Sequence, residues 1–333
     1  MIKEYMRLLK ARNWMKKNEP FLYSWHVYVG YELDLFHKFR FPVSVNKIAM
    51  ENSYQKELFQ QWVDVGIAVK NLKEGRDGAI KTAKRFMIPD RKDNPRSTGI
   101  ILKEMMELHI PILLTYPNLI KSNEKNIFDH KTHGQTVAQT SSLLEQLAFP
   151  KFLKLIKKNH YHSVLDIGCG HAGYLSRLAK YFSDIKMTGI ELNQEVAASA
   201  QKRCENLANI QIEQADFKEF EPAGHVDFIM MNNLLHYIDP AERAGVLKKV
   251  SRWVTEKGQI AIMTPIGKDE KGAQFSSAFN SFFSAFENLY PVPSVRDMKK
   301  MAECAGLRIA TFKPIIREGG WYLVTLENKK GEK

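Results

Sequence analysis

The chain has 333 residues and a formal net charge of +12, and its composition, 44% hydrophobic and 26% charged, is that of an ordinary globular protein. No apolar run approaches the ~18 residues of a membrane-spanning helix, and the charged first twenty residues lack the apolar core of a secretory signal, so the expected compartment is the cytoplasm. Cys169, Cys204 and Cys304 show no metal-ligand or redox spacing, and the basic excess is spread over both halves, so neither a metal nor a nucleic acid is an expected partner.

In chain order, the first half is dominated by helical periods: FLYSWHVYVGYELDLFHKF (21–39), VNKIAMENSY (45–54), QKELFQQWVDVGI (55–67) and STGIILKEMMELHIPILLTYPNLI (97–120). Between the last two, IAVKNLKEG (67–75) and AIKTAKRFMI (79–88) flank the turn EGRDG, which predicts a hairpin after a small helical cluster, a winged-helix layout. Trp25, Tyr28 and Tyr31 are expected in the core of this part, residues 1–148.

The character changes near Pro150. The lysine-rich amphipathic stretch KFLKLIKKN leads into apolar runs that alternate with helical periods over residues 149–333: SVLDIG, GYLSRLAKYF, KMTGIE, NQEVAASAQKRCEN, IQIEQAD, VDFIMMN, DPAERAGVLKKVSRWV and GQIAIMT. That alternation predicts an α/β domain, a mainly parallel doubly wound sheet of Rossmann-like form.

One turn carries the chemistry. The strand ending at Asp166-Ile167 runs into Gly168-Cys169-Gly170-His171-Ala172-Gly173 and then a helix, and its glycines let backbone approach a ligand closely. Glu191 ends the next strand, where a carboxylate can accept both hydroxyls of a ribose, and Asp216-Phe217 follow the third, where a carboxylate and a ring suit an adenine. Asn232 ends the fourth. A nicotinamide dinucleotide is the alternative ligand, but Asp166 would repel a pyrophosphate held so near it, whereas a sulfonium and an amino group tolerate it.

The segments VLDIGCGHAGYL, GIELN, QADF and VDFIMMNNLLHYI resemble the successive motifs of class I S-adenosylmethionine-dependent methyltransferases. The resemblance covers about residues 150–330. It implies S-adenosyl-L-methionine as cofactor and S-adenosyl-L-homocysteine as product. Asp166 and the turn Gly168, Cys169, Gly170, Gly173 would then hold the methionine moiety, Glu191 the ribose, Leu192 one adenine face, and Asp216 with Phe217 the adenine.

The stretch LLHYID is similar to that of two-domain small-molecule O-methyltransferases, where the matching histidine accepts the acceptor's proton. His236 would then be the base, with Asp239 nearby; a packing or helix-capping role for His236 stays open. The same resemblance implies a dimerisation domain in the N-terminal half, hence a homodimer acting on a small molecule. His133, with His130, is a candidate to border the substrate, and so are Phe279 and Phe283 in the one-sided run Phe275, Phe279, Phe282, Phe283 and Phe286; surface and core are their ordinary roles. Two rival readings are an RNA-directed methyltransferase, against which Asn-Asn-Leu-Leu stands where amino-directed enzymes carry a proline-aromatic motif, and a cofactor-sensing winged-helix DNA-binding regulator, whose recognition helix QKELFQQWVDVGI is not basic.

Overall fold

The computed structural model describes residues 2–83, 89–93, 97–122, 124–267 and 273–329, with backbone alone at 93, 130–136 and 138. The chain forms two compact units, Met1–Ile110 and Pro111–Lys333. Among the described residues no helix is long and apolar enough to cross a membrane.

The first unit contains α1 (Ile2–Glu32), α2 (Leu35–Lys38), α3 (Val45–Glu51), α4 (Lys56–Ala68), β1 (Leu72–Glu74), β2 (Ile80–Thr82) and α5 (Gly99–Glu104). The expected helix over 21–39 is broken in two, because Asp34 takes a left-handed φ of 53° and turns Leu35 and Phe36 into the core. Gly30 makes room for that turn: a Cβ there would stand 2.2 Å from the Phe36 ring. The hairpin is present as an antiparallel pair with Leu72 opposite Thr82 and Glu74 opposite Ile80. Its first strand starts later than expected, since Ile67 and Ala68 still belong to α4, and residues 84–88 of the second piece lie outside the described residues.

The core of this unit is aromatic, with Phe39, Phe59 and Trp62 stacked and Tyr31 buried, Trp25 packing at its edge. The Tyr28 hydroxyl donates to Glu107 at 2.8 Å. His26 is fully buried, stacked on Trp62 at 4.3 Å, with its Nδ1 2.9 Å from the Asn71 amide nitrogen. Burial pushes its pKa down to about 4. The native state therefore resists the proton that the unfolded chain takes near pH 6.5, so this contribution to stability is complete above about pH 6.5 and is lost as pH falls through about 4. The loss is up to about 3 kcal/mol. Urea titrations followed by tryptophan fluorescence are expected to show the midpoint falling between pH 7 and pH 4.5, and His26→Gln is expected to flatten that dependence.

The chain leaves this unit through a π-helical turn, Met105–His109, then α6 (Ile110–Leu114) and α7 (Tyr116–Leu119). The single helix expected over 97–120 is interrupted because Pro111 has no N–H to return to the carbonyl of Glu107.

The second unit begins with α8 (His130–Asn159) and continues as β3 (Ser163–Ile167), α9 (Gly173–Leu178), β4 (Lys186–Glu191), α10 (Gln194–Cys204), β5 (Ile210–Gln214), β6 (Val226–Asn232), a 3-10 turn at Leu235–Tyr237, α11 (Arg243–Ser251), β7 (Val254–Pro265), α12 (Ala273–Ser284), α13 (Val295–Cys304), β8 (Leu307–Ile316) and β9 (Trp321–Asn328). The expected boundary at 148/149 falls inside α8, which runs unbroken through Pro150; the composition shift there marks the start of the α/β pattern, whereas the units part at Ile110.

The sheet order is β5-β4-β3-β6-β7-β9-β8. The five strands from β5 to β7 are parallel, and β9 and β8 are antiparallel additions. Strands covered on both faces must be apolar throughout, which is why Phe228 to Met231 and Ile260 to Met263 are all buried. One face packs on Phe149, Phe152 and Ile156 of α8 and on Tyr174, Leu175 and Leu178; the other packs on Leu247, Val250, Met298 and Met301. Chain order reverses between β3 and β6, which opens a crevice at their carboxyl ends.

Candidate functional site

Four of the candidate segments end at this crevice. Period-two alternation in β3 turns Leu165 and Ile167 to the α11–α13 face and leaves Val164 and Asp166 on the α8 face. Asp166 is 1% exposed, and its Oδ1 has no hydrogen-bond partner. Burial first, then Glu145 and Glu191, pushes its pKa well above the usual carboxylate range.

Gly168 and Gly170 carry φ of 70° and 54°, the left-handed region where a Cβ is strained, and Ala172 adopts 55° to start α9. The Gly168 and Cys169 N–H groups both donate to the Ile190 carbonyl, at 2.9 and 3.0 Å, which fixes the turn against β4. A Cβ on Gly170 would meet nothing within 4 Å, so this backbone faces open space. Burial, followed by Asp166 and Glu191, raises the Cys169 thiol, which excludes a thiolate role.

Glu191 accepts from the Gly170 N–H at 3.1 Å through Oε2 and from the Asn193 N–H at 3.0 Å through Oε1. Its neighbour Leu192, just past the end of β4, is 64% exposed. Asp216 and Phe217 are brought to the same edge: the Ala215 N–H donates to the Glu191 carbonyl, and the Gln214 amide to the Leu192 carbonyl. Asp216 Oδ1 accepts from the Lys218 N–H at 2.8 Å, and Phe217 is half-buried.

Across the crevice, Asn232 ends β6 with both side-chain polar atoms buried and unpartnered. Asn233 has φ 52° and accepts from Trp321 Nε1 at 3.1 Å. The loop then brings Leu234 to 3.4 Å from the position of a Cβ on Gly168.

His236 is 8% exposed and stacks on Phe283, ring centroids 4.7 Å apart at 8°. Phe283 stacks on Phe279, and Phe279 meets Trp321 edge-on at 4.9 Å, so the five residues His236, Phe283, Phe279, Trp321 and Asn233 form a continuous wall. Phe275 extends it along α12. Asp239 heads α11: its Oδ1 accepts from the Ala241 N–H and its carbonyl from Glu242 and Arg243. His133 and His130 lie on α8, but their side chains lie outside the described residues.

Three residues that the sequence did not single out complete the geometry. Arg243 is buried and donates to the carbonyls of Ile238 and Pro291, at 3.0 and 2.7 Å; together with the Tyr290 N–H on the His236 carbonyl it braces the histidine-bearing loop. Glu145 of α8, with Arg177, packs against Gly173. An arginine or glutamate at the apolar period of its helix is the signal that points to both.

Residues 164–258 match the family model described as a methyltransferase domain. A trans-aconitate 2-methyltransferase of Acidovorax sp. (strain JS42) is 27% identical over 111 residues, 33% of this chain and 41% of that protein, so the chain matches about two fifths of its relative's length. Human N-acetylserotonin methyltransferase, solved in complex with SAM, superposes with a TM-score of 0.76 at 15% identity, over 96% of this chain and 98% of its own. An O-methyltransferase family protein from Burkholderia thailandensis does so with 0.74 at 16%, over 97% and 99%. These similarities meet at the glycine turn and the switch-point crevice: residues 164–258 match a methyltransferase domain, and the fold of the chain is similar to that of these solved methyltransferases.

Proposed function

We propose that the chain is an S-adenosylmethionine-dependent methyltransferase that transfers a methyl group to a small-molecule acceptor, at a hydroxyl oxygen. The observation that carries this reading is the pair of orphaned polar groups at the switch point, Asp166 Oδ1 and the Asn232 amide, buried on either side of a left-handed glycine turn. Buried polar atoms without partners are costly, and a ligand with an amino group and hydroxyls satisfies them. The residues present therefore fit S-adenosylmethionine, which supplies an electrophilic methyl on a sulfonium when bound.

In this reading Asp166 and the turn Gly168, Cys169, Gly170, Gly173 seat the methionine arm, and Glu191 takes the ribose hydroxyls. Leu192, with its exposed side chain, covers one adenine face. Asp216 and Phe217 line the base, and Asn232 borders the sulfur end. The aromatic wall of Phe279 and Phe283 excludes water and orients the acceptor, and His236 takes the proton of its hydroxyl. Asp239 acts through the turn into α11. The sheet-bearing unit does this work, and the helical N-terminal unit faces the substrate and dimerises.

The dimer is supported by the outer part of α1, where Ile2, Tyr5, Leu8, Trp14, Met15 and Phe21 are all more than half exposed. Sedimentation at micromolar concentration is expected to give twice the chain mass; a monomer would remove this part. The cytoplasm, where the three free cysteines stay reduced, is the proposed compartment.

Calorimetric titration with S-adenosylmethionine, S-adenosylhomocysteine and NAD tests the whole reading. Saturable binding of the two adenosyl ligands is the expected result, and binding of NAD alone, or of none, would overturn it.

A further inference from the structure

The face of α8 that meets the sheet is built from Leu144, Ala148, Phe149, Phe152 and Ile156, all buried. Glu145 stands on the same side, one turn before Phe149, with its side chain 14% exposed. A carboxylate in that setting needs partners. Arg177 Nη1 donates to Oε1 at 3.2 Å, and the guanidinium lies over the Phe149 ring, 4.0 Å from its centroid, which holds Glu145 in one direction. That direction is toward the glycine turn: Oε2 lies 1.9 Å from where a Cβ on Gly173 would stand. The third glycine of the turn is thus explained by a carboxylate that occupies the space of its side chain.

Beside it lies Asp166, 99% removed from solvent in effect, being 1% exposed, with Oδ1 unpartnered. A buried carboxylate ending β3 and a mostly buried one reaching the turn from α8, the first with an oxygen that nothing among the described residues satisfies, are complementary to a compact cation bearing several donors. We propose that Glu145 is a further cofactor-binding residue, which with Asp166 forms a two-carboxylate seat for the α-ammonium group of the amino-acid arm of S-adenosylmethionine, with Arg177 as its positioning residue. This rests on the cofactor reading above.

The charges around the seat agree with it. Burial raises the Glu145 pKa, against the pull of Arg177 and Arg203, and Asp166 is raised by burial, Glu145 and Glu191. Tyr174 faces both carboxylates and Cys169 faces Asp166, and burial raises both groups. An arriving ammonium offsets the penalty that burial places on both carboxylates.

The test compares S-adenosylhomocysteine with 5′-methylthioadenosine, which has the adenosyl and thioether groups but no amino-acid arm. Glu145→Gln keeps the side-chain volume and an acceptor for Arg177 and removes the charge. Calorimetry is expected to show S-adenosylhomocysteine weakened roughly 10- to 100-fold and 5′-methylthioadenosine unchanged. Equal loss for both ligands, or no loss for either, would overturn the seat while leaving the cofactor reading intact. Failure of the unaltered protein to bind either ligand overturns the cofactor reading and the seat with it. A second measurement needs no variant: the unaltered protein is expected to bind S-adenosylhomocysteine at least about tenfold more tightly than its analogue lacking only the α-amino group. Equal affinity for these two ligands would overturn the seat.

Discussion

Glu191→Ala is expected to weaken S-adenosylhomocysteine binding by roughly 100-fold or more, with the protein still folded. Both carboxylate oxygens are engaged by backbone N–H groups of the loops they join, Gly170 on one side and Asn193 on the other. Removing the side chain therefore takes away the acceptor proposed for the ribose and also frees the turn that shapes the cradle. Hydrogen bonds to a charged acceptor are each worth about 1.5–3 kcal/mol, and two are lost. The fold survives because Gly170 is half-buried and Asn193 exposed, so water can take both N–H groups. Calorimetry paired with a thermal melt checks the two halves of this expectation. Undiminished affinity would sink the assignment of the β4 terminus.

His236→Gln is expected to lower turnover by about 10²- to 10⁴-fold while S-adenosylhomocysteine affinity stays unchanged. Glutamine keeps a planar polar group against Phe283, on which the imidazole stacks, so the wall that includes Phe279 and Trp321 is kept. The carbonyl of residue 236 still receives the Tyr290 N–H, and Arg243 still ties Ile238 to Pro291. What is lost is the ring nitrogen that would take the acceptor's proton. Single-turnover methyl transfer to an acceptor found by screening is the measurement. Unaltered turnover would make His236 a packing residue and take away the reason to favour a hydroxyl acceptor.

The parallel strands could be read from sequence because burial on both faces forces continuous apolar runs, and Asp166, Glu191 and Asn232 stand out as polar residues at their ends. The cradle was legible for the same reason: glycines at 168 and 170 are needed where φ is positive. The antiparallel pair β8 and β9 was not read as strands, since β8 is only half-buried and its polar and apolar residues mix. Asp34 and the π-helical turn before Pro111 break helices whose periodicity continues through them, so pattern alone passes over both. Glu145 and Arg243 escaped notice because a single charged residue in a helix is ordinarily solvated. Their partners, Gly173 with Arg177 and the carbonyls of Ile238 and Pro291, become neighbours only through the tertiary fold.

The place of β9 between β7 and β8 governs how the protein is made. During synthesis β7 leaves the ribosome with one long edge facing nothing, and the strand that covers it, Trp321–Asn328, emerges only after α12, α13 and β8. At about 5–20 residues per second the delay lasts seconds, long on the scale at which bare strand edges find other chains. Nascent chains are thus exposed to misassociation at one identifiable point. The late strand β9 also delivers Trp321, whose indole N–H fastens Asn233 beside the crevice, so that wall of the crevice is completed only after β9 has joined the sheet.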